Sequence, residues 1–533
     1  MITNHRKFIA FGVISALLFW LSWPTISLSI LLFFAFIPLL IIEKELRTSK
    51  EIRSSRYLFR YSFISFFLWN LACSYWIWNA SAVGMIIAVL LNSTMMSLVM
   101  LAYHFVHKRN NSFLSSLFFI CAWMAMELFH HHWDFSWPWM TLGNAFAEHN
   151  QWIQWYEYTG VFGGSFWVLA VNVIFFQAYL KTENSKLFSA VYIKEYAKGL
   201  VLLLAPIGVS YAMYNSYVEK INPSNIVVVQ PNIDPYSEKF SGLSDQEQLQ
   251  RMIKLSDSVA HVNTEFFIWP ETALPTNIAE ETLESNSLII DARNFLSKYK
   301  NGNIITGAAT YKTYTSEETV TARKFSNGQC CYDAFNTGLL IENNPGIQIY
   351  HKSKLVAGVE QIPYPGILKF LEPLTIKLGG TFGSLGTQKE RTVLYTRSGI
   401  GVAPVICYES VYGEYVTDYI KNGAQMIAII TNDGWWGNTP GYHQHASYAR
   451  LRAIETRRSI ARSANTGTSC FINQRGDVSD ETSWWVADAK NGNINLNEKI
   501  TFYVQYGDWF VFSASLVALL IFVFSLIKKI RLV

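Results

Sequence analysis

Of 533 residues only 15% are charged, while half are apolar and 15% aromatic. That excludes a disordered chain and a disulfide scaffold, and it is too poor in charge for an ordinary soluble enzyme, in which about a quarter of residues are charged. The net charge of +4 gives no argument for nucleic acid, and six Cys without regular spacing imply no zinc site.

The charge is unevenly spread. Residues 1–220 hold 15 Lys/Arg and 10 Asp/Glu, and the remaining residues hold 28 and 29. The first part reads as lipid-embedded and the second mostly as a globular domain. A membrane-crossing helix needs about 20 predominantly apolar residues. Such stretches lie near 8–22, 25–42, 58–78, 82–104, 113–130, 161–180 and 199–215, and again near 508–527. A cleaved signal peptide is the alternative for 1–23, but no small-x-small site follows and more spans come at once. Lys and Arg fall before the first span and after the second, fourth, sixth and eighth, with none after the first, third and fifth. By the positive-inside rule this predicts eight spans, both termini cytoplasmic, and the region of about 216–507 outside the cytoplasm.

Between the fifth and sixth spans lie His130-His131-His132-Trp133, Trp137-Pro138-Trp139, Trp152 and Trp155. These aromatics read as an interfacial belt or as the wall of a lipid-access site. Three adjacent His rarely converge on one metal ion, so no metal is expected.

From about 223 the pattern changes. Short β runs at 225–230, 265–269, 303–307, 337–341, 401–406 and 426–430 alternate with helical spacing at 245–262, 284–299, 411–422 and 443–462. This predicts an α/β sandwich. Three reactive residues each follow a β run: Glu271 after 266–270, Lys352 after 347–350, and Cys407 after 402–406. Strand ends in α/β folds open into common crevices. There a carboxylate takes the thiol proton, the thiolate attacks a carbonyl, and an ammonium with a backbone N–H steadies the oxyanion. Glu271 as base is expected to have a raised pKa, from apolar walls. Singly, each residue has a plainer reading: a packed Cys, a loop Glu, a solvated Lys.

Together with their flanks they are more specific. Trp269-Pro270-Glu271-Thr272-Ala273, Tyr350-His351-Lys352-Ser353-Lys354-Leu355 and Ile406-Cys407-Tyr408-Glu409 resemble the nitrilase superfamily, as do Thr431-Asn432-Asp433-Gly434-Trp435-Trp436-Gly437, Arg452-Ala453-Ile454-Glu455 and Asn465-Thr466-Gly467. Trp137-Pro138-Trp139-Met140-Thr141-Leu142-Gly143 and Gly160-Val161-Phe162-Gly163-Gly164-Ser165-Phe166 resemble the apolipoprotein N-acyltransferases, as does the layout of spans, nitrilase-like domain and last span.

The resemblance implies a polytopic α-helical membrane domain of about eight spans plus an α-β-β-α sandwich, divided at 1–220, 221–506 and 507–533. It implies an inner-membrane enzyme moving a fatty acyl chain from a phospholipid, through a Cys thioester, to the α-amino group of the diacylglyceryl-cysteine of an apolipoprotein. No cofactor or metal is implied; the partners are the bilayer, the phospholipid donor and the diacylated acceptor. Cys407 is then the nucleophile, Glu271 the general base and Lys352 the residue steadying the tetrahedral intermediate, with Lys354 a rival. Lys352 is preferred for its eight-residue spacing to Glu360, the expected second glutamate. Tyr408 supplies an oxyanion N–H, and Glu409 follows it.

Two departures stand out. Leu355-Val356-Ala357-Gly358-Val359-Glu360 lacks the Pro usual in this loop, which predicts a looser loop around Glu360. Pro231 follows Gln230, and Phe240 is the nearest large aromatic. The Gly-rich 378–383 is a second candidate cover for the site or a plain surface loop; it lacks the ending of a phosphate loop. Cys330 and Cys331 are candidates to pair with Cys470 or with each other. The rival readings are a membrane-anchored amidase using the same triad, and a transporter or scaffold with a binding domain. Few charges within the spans and an intact triad count against the latter.

Overall fold

The computed structural model describes residues 5–49, 51–183, 185–316, 318–325, 330–364 and 384–528, so the Gly-rich 378–383 lies outside the described residues. The chain forms two compact units, one of Met1–Trp78, Ala82–Ser216 and Tyr506–Val533, the other of Asn79–Ser81 and Tyr217–Gln505.

The first unit is helical. Among the described residues, six helices are long and apolar enough to cross a membrane by length and composition: His5–Ser22, Ala82–His107, Ser112–His132, Val161–Thr182, Ala190–Ser216 and Trp509–Ile527. A further 21-residue helix, Ser54–Ser74, overlaps the third expected span. The second expected span, 25–42, is divided into a 3-10 segment, Ser29–Phe34, and a helix, Ile37–Thr48, with Pro38 in its first turn. A break in an apolar interior frees backbone groups that need partners. Buried Asn172 supplies them: its Nδ2 donates to the Leu32 carbonyl at 2.9 Å and its Oδ1 accepts the Phe36 N–H at 2.9 Å. The Ser15 hydroxyl donates to the Ala35 carbonyl at 2.6 Å.

The aromatic segment folds into short 3-10 turns, Pro138–Met140, Leu142–Phe146 and Asn150–Trp152. Trp137 and Trp139 stack with centroids 5.4 Å apart. The glycines that follow are there for close approach. A Cβ on Gly143 would lie 2.0 Å from the Val161 carbonyl oxygen, and one on Gly164 would lie 1.9 Å from the Tyr156 hydroxyl. That hydroxyl donates to the Gly143 carbonyl at 2.9 Å.

The second unit carries two sheets. The first contains β1 (Pro223–Gln230), β2 (Phe266–Ile268), β3 (Leu274–Ala279), β4 (Asn303–Tyr314), β5 (Arg323–Lys324), β6 (Cys331–Glu342), β7 (Gln348–His351) and β14 (Asp488–Asn495). Its order is β14-β1-β2-β4-β6-β5, with β3 on β4 and β7 on β6. The second contains β8 (Leu394–Tyr395), β9 (Gly401–Ile406), β10 (Met426–Thr431), β11 (Ile460–Ala464), β12 (Cys470–Ile472) and β13 (Val478–Ser479), in the order β13-β12-β11-β10-β9-β8. Strands β1, β2 and β4 run parallel, as do β9, β10 and β11. Fully buried strands of this kind read as continuous apolar runs, and Ile226-Val-Val-Val229 and Met426-Ile-Ala-Ile-Ile430 do so.

Helices Asp245–Val259 and Ser287–Leu296 bury Leu249, Met252, Leu288, Ile289 and Phe295 in one cluster with Val227, Phe267, Trp269, Ile304 and Leu339 from the first sheet. The Ser244–Glu247 capping box starts the first of these helices. The two sheets meet face to face: the Ser463 hydroxyl donates to the Val229 carbonyl at 2.7 Å, and a Cβ on Gly338 would lie 3.3 Å from the Pro404 side chain. Helices Gly413–Lys421 and Pro440–Thr456 accompany the second sheet, completing the expected α-β-β-α sandwich.

One expected element is corrected. The helical spacing at 443–462 ends at Thr456, where Arg457 adopts the left-handed conformation (φ 50°), and Ile460–Ala464 is strand β11, parallel to β10. The capping turn lets the chain reverse into the sheet. Cys330 and Cys331 are disulfide-bonded to each other, and Cys470 is free and buried.

Buried Arg452 makes a bidentate pair with Glu455, at 2.7 and 2.8 Å, and donates to the Val411 carbonyl at 2.7 Å and the Ser410 carbonyl at 3.2 Å. Arg452→Met strips Glu455 of this partner inside the protein. It is expected to lower unfolding stability by about 3–5 kcal/mol, read as a lower thermal midpoint in detergent.

Candidate active site

Glu271 lies one peptide beyond the Trp269-Pro270 extension of β2, where Trp269 N–H still donates to the Ile305 carbonyl at 2.8 Å and Gly307 N–H to the Pro270 carbonyl at 3.1 Å. Gly307 allows this close pass, because a Cβ there would lie 2.4 Å from the Thr272 nitrogen and 2.7 Å from the Glu271 Cα. Lys352 follows β7, its N–H bonded to the Asn336 carbonyl at 2.8 Å. Cys407 follows β9 and begins a 3-10 turn, Cys407–Val411, with φ 50°, a conformation that L residues other than Asn and Asp rarely adopt.

The structure brings together three of the expected residues as a charged cluster. Lys352 Nζ donates to Glu271 Oε1 at 3.0 Å and to Glu360 Oε1 at 2.7 Å. Asn336 Nδ2 donates to the same two oxygens at 2.7 and 3.2 Å. Lys239 Nζ donates to the Glu271 backbone carbonyl at 3.0 Å. Lys239, Glu271, Lys352 and Cys407 are all buried. The rival Lys354 is elsewhere, with its ammonium 4.6 Å from the centre of the Tyr412 ring. The Glu360 loop is held despite its missing Pro: Glu360 Oε2 accepts the Val356 N–H at 2.9 Å, and the Glu360 N–H returns to the Val356 carbonyl at 2.9 Å. Phe240 is more than a third exposed, beside Lys239 in sequence.

The electrostatics correct one expectation. Burial pushes the Glu271 carboxyl up, but the Lys352 ammonium, the Asn336 amide and the Lys239 ammonium outweigh it, and the net shift is downward. The reason is that the walls near this carboxylate carry cations and donors. Burial likewise disfavours the charged Lys352, yet Glu271, Glu360 and Cys407 hold its pKa well above the ordinary value. The Cys407 thiol is pushed up strongly by burial and by the Glu271 charge, with Lys352 opposing. At neutral pH the resting site is therefore a carboxylate, an ammonium and a neutral thiol.

Glu409 has a different place. It is fully buried and accepts from the Tyr350 hydroxyl (2.6 Å), the Tyr415 hydroxyl (2.7 Å), the Ser353 N–H (2.8 Å) and the Ile406 N–H (2.9 Å). It thereby fastens the start of the Lys352 loop to the end of β9. Tyr408 packs edge-on against Tyr412 at 5.3 Å.

Sequence reasoning missed Asn336 and Lys239. Asn336 leaves a faint trace, a polar residue inside the apolar run of β6. Lys239 sits in a polar loop and leaves none. It also missed the roles of Asp433, His445 and Arg462. Asp433 Oδ1 lies 2.9 Å from His445 Nδ1, and Asp433 Oδ2 accepts from Arg462 Nη2 at 2.7 Å. Arg462 and the paired His445 hold Asp433 down to a pKa of about 2 against the effect of burial.

Comparison with known proteins decides the family. Residues 15–174 match the apolipoprotein N-acyltransferase N-terminal domain, and residues 226–498 match the carbon–nitrogen hydrolase domain. The apolipoprotein N-acyltransferase of Chlorobaculum tepidum is 32% identical over 501 residues, covering 91% of this chain and 90% of that one. The chain belongs to the apolipoprotein N-acyltransferase family. The enzymes of the same name from Geobacter metallireducens (26% identical, covering 97% of this chain and 96% of that one) and Thermotoga maritima (24%, covering 95% and 92%) extend over nearly its whole length. It is an N-acyltransferase with a nitrilase-type domain and an apolar helical region.

Lys239 gives a pH test. Burial lowers its pKa to about 8, with Glu271 and Cys407 opposing. The unfolded lysine titrates near 10.4, so between roughly pH 8 and 10.4 the unfolded state binds more protons and this group's contribution to stability rises with pH. Lys239→Met removes that rise. The stability difference, wild type minus variant, is expected to move in favour of the wild type by roughly 2–3 kcal/mol across that window, read from unfolding midpoints at stepped pH.

Proposed function

We propose that this acyltransferase works through a covalent Cys407 thioester, with Glu271 as general base and Lys352 as electrostatic stabiliser. The observation carrying the proposal is the shared bonding of Lys352 to Glu271 and Glu360, within electrostatic reach of a buried thiol at a strand end. The donor is a phospholipid and the acceptor the α-amino group of the diacylglyceryl-cysteine of an apolipoprotein.

In the first half-reaction the Cys407 sulfur attacks the ester carbonyl of the donor while the thiol proton passes to Glu271. The oxyanion is met by the Tyr408 N–H and the Lys352 ammonium. Collapse breaks the ester C–O bond, the leaving alkoxide takes the proton from Glu271, and lysophospholipid departs. In the second, the acceptor amine attacks the thioester carbonyl, Glu271 takes the amine proton, and collapse returns it to the departing Cys407 thiolate. Glu360 and Asn336 hold Lys352 and Glu271 in register; Glu409 braces the strand end. A base with a lowered pKa suits this scheme, because it is already ionised and the neutral thiol loses its proton only as the C–S bond forms.

The reading extends to location. The chain lies in the inner membrane with both termini cytoplasmic and residues 221–506 outside as the catalytic domain, between a seven-span domain at 1–220 and a last span at 507–533. The alternation of Lys and Arg supports it.

Intact mass after incubation with phospholipid tests the chemistry. The wild type is expected to gain one fatty acyl group that a diacylated lipopeptide discharges, and Cys407→Ala to gain none. Glu271→Gln is expected to form the adduct about 10²–10⁴-fold more slowly. Loss of the adduct to water at the same rate with and without lipopeptide points to the hydrolase instead.

A further inference from the structure

Behind Cys407, a chain of buried polar groups leads to its backbone carbonyl. The Thr431 hydroxyl donates to Asp433 Oδ1 at 3.0 Å. Asp433 Oδ1 faces His445 Nδ1 at 2.9 Å. His445 Nε2 lies 3.2 Å from the Cys407 carbonyl oxygen and 3.0 Å from the Ser410 hydroxyl, and that hydroxyl donates to the same carbonyl at 2.8 Å. Asp433 is further held by Arg462. Thr431, Asp433, Ser410, His445 and Arg462 are all 1% exposed or less.

A carbonyl only accepts, so His445 Nε2 carries the proton in this contact, and the carboxylate across the ring fixes its orientation. Buried polar groups are costly unless partnered, and here the partners converge on one carbonyl. That carbonyl belongs to a residue in the left-handed region. In a trans peptide the C=O of Cys407 and the N–H of Tyr408 point to opposite sides. Pinning the first on these groups directs the second away from them.

We infer that Asp433, His445 and Ser410 are the positioning device of the oxyanion hole: they hold the Cys407–Tyr408 peptide so that the Tyr408 N–H is presented to the carbonyl under attack. His445 is a positioning residue that acts through the Cys407 carbonyl. The inference rests on the reading of Cys407 as the acylated nucleophile.

Two reactions of one sulfur separate this role from a general structural one. Acylation by phospholipid passes through an oxyanion, whereas alkylation by iodoacetamide does not. In the full-length protein in detergent, His445→Ala is expected to slow acyl-adduct formation by about 10²-fold or more, with the half-saturating phospholipid concentration within about threefold. Alkylation of Cys407, located by peptide mass, stays within about threefold of the wild type, since that reaction needs no oxyanion donor. His445→Gln, whose amide N–H replaces the Nε2 donor, recovers at least about tenfold of the lost rate. If His445→Ala does not fold, Ser410→Ala removes one donor and is expected to slow acylation alone by about tenfold. Equal loss of acylation and alkylation in a folded variant, or a fall in acylation below about threefold, overturns the inference. A wild type that alkylates at Cys407 but never acquires an acyl group overturns the thioester reading itself.

Discussion

A carboxylate kept ionised out of water is the constraint on which the rest of the site depends. The effective penalty for burying such a charge is several kcal/mol, and it is offset only by good geometry with all lone pairs satisfied. Three groups hold Glu271 in place. Lys352 and Asn336 share its Oε1, and Lys239 holds its carbonyl. Lys352 in turn needs a second carboxylate, which Glu360 provides at 2.7 Å. Glu271, Lys352 and Lys239 all act electrostatically on the Cys407 thiol, which burial keeps neutral. A neutral thiol is a poor target for oxidation, which follows thiolate character and exposure. On the proposed mechanism the thiol gives up its proton only as it bonds to an electrophile.

The backbone around this cluster is as constrained as its charges. Glu271 and Gly307 pass so close that no Cβ fits between them, and Cys407 turns out of β9 through the left-handed region. Such conformations persist only when neighbours over-determine them. Glu409 does so from the front, tying Ile406 to Ser353, and the Asp433–His445 pair does so from behind. The Cys407 backbone is therefore held from both sides.

What was legible in the sequence follows from how local each signal is. Glu271, Lys352 and Cys407 were visible because each directly follows an apolar β run within a distinctive pentad or hexad. Glu271 and Lys352 meet beyond the ends of β2 and β7 in the first sheet, whereas Cys407 follows β9 of the second, so their convergence rests on how the two sheets pack. The sign of the Glu271 shift was not legible. It depends on Asn336, which lies 65 residues away on β6, and on Lys239, from a loop before the first helix of the unit. The broken second span was hidden for a similar reason: hydropathy over 25–42 is uniform, and its interruption is made tolerable by Asn172, over 130 residues on. The helical spacing runs on over 460–462, the first residues of β11, because Ile460 continues the apolar spacing of the preceding turn, and only the left-handed Arg457 ends the helix.

On the proposed mechanism the same three residues serve hydrolysis and transfer alike, so the outcome turns on what reaches the thioester. A phospholipid acyl chain leaving the bilayer loses about 0.8 kcal/mol per CH₂ exposed, or roughly 10 kcal/mol for a long chain. A soluble amidase has no means to offset that. Here the nitrilase-type unit is continuous in sequence with Ala190–Ser216 before it and Trp509–Ile527 after it, both long and apolar enough to cross a membrane. Under the proposed chemistry, fusing the thiol to spans on both sides removes the need to extract the donor. The proposed diacylated acceptor carries its own two acyl chains and is confined to the same bilayer. Amine and thioester are then both held at the membrane, and confinement raises the effective concentration of the amine against water. On this account the spans set the outcome of the reaction and the triad sets its rate.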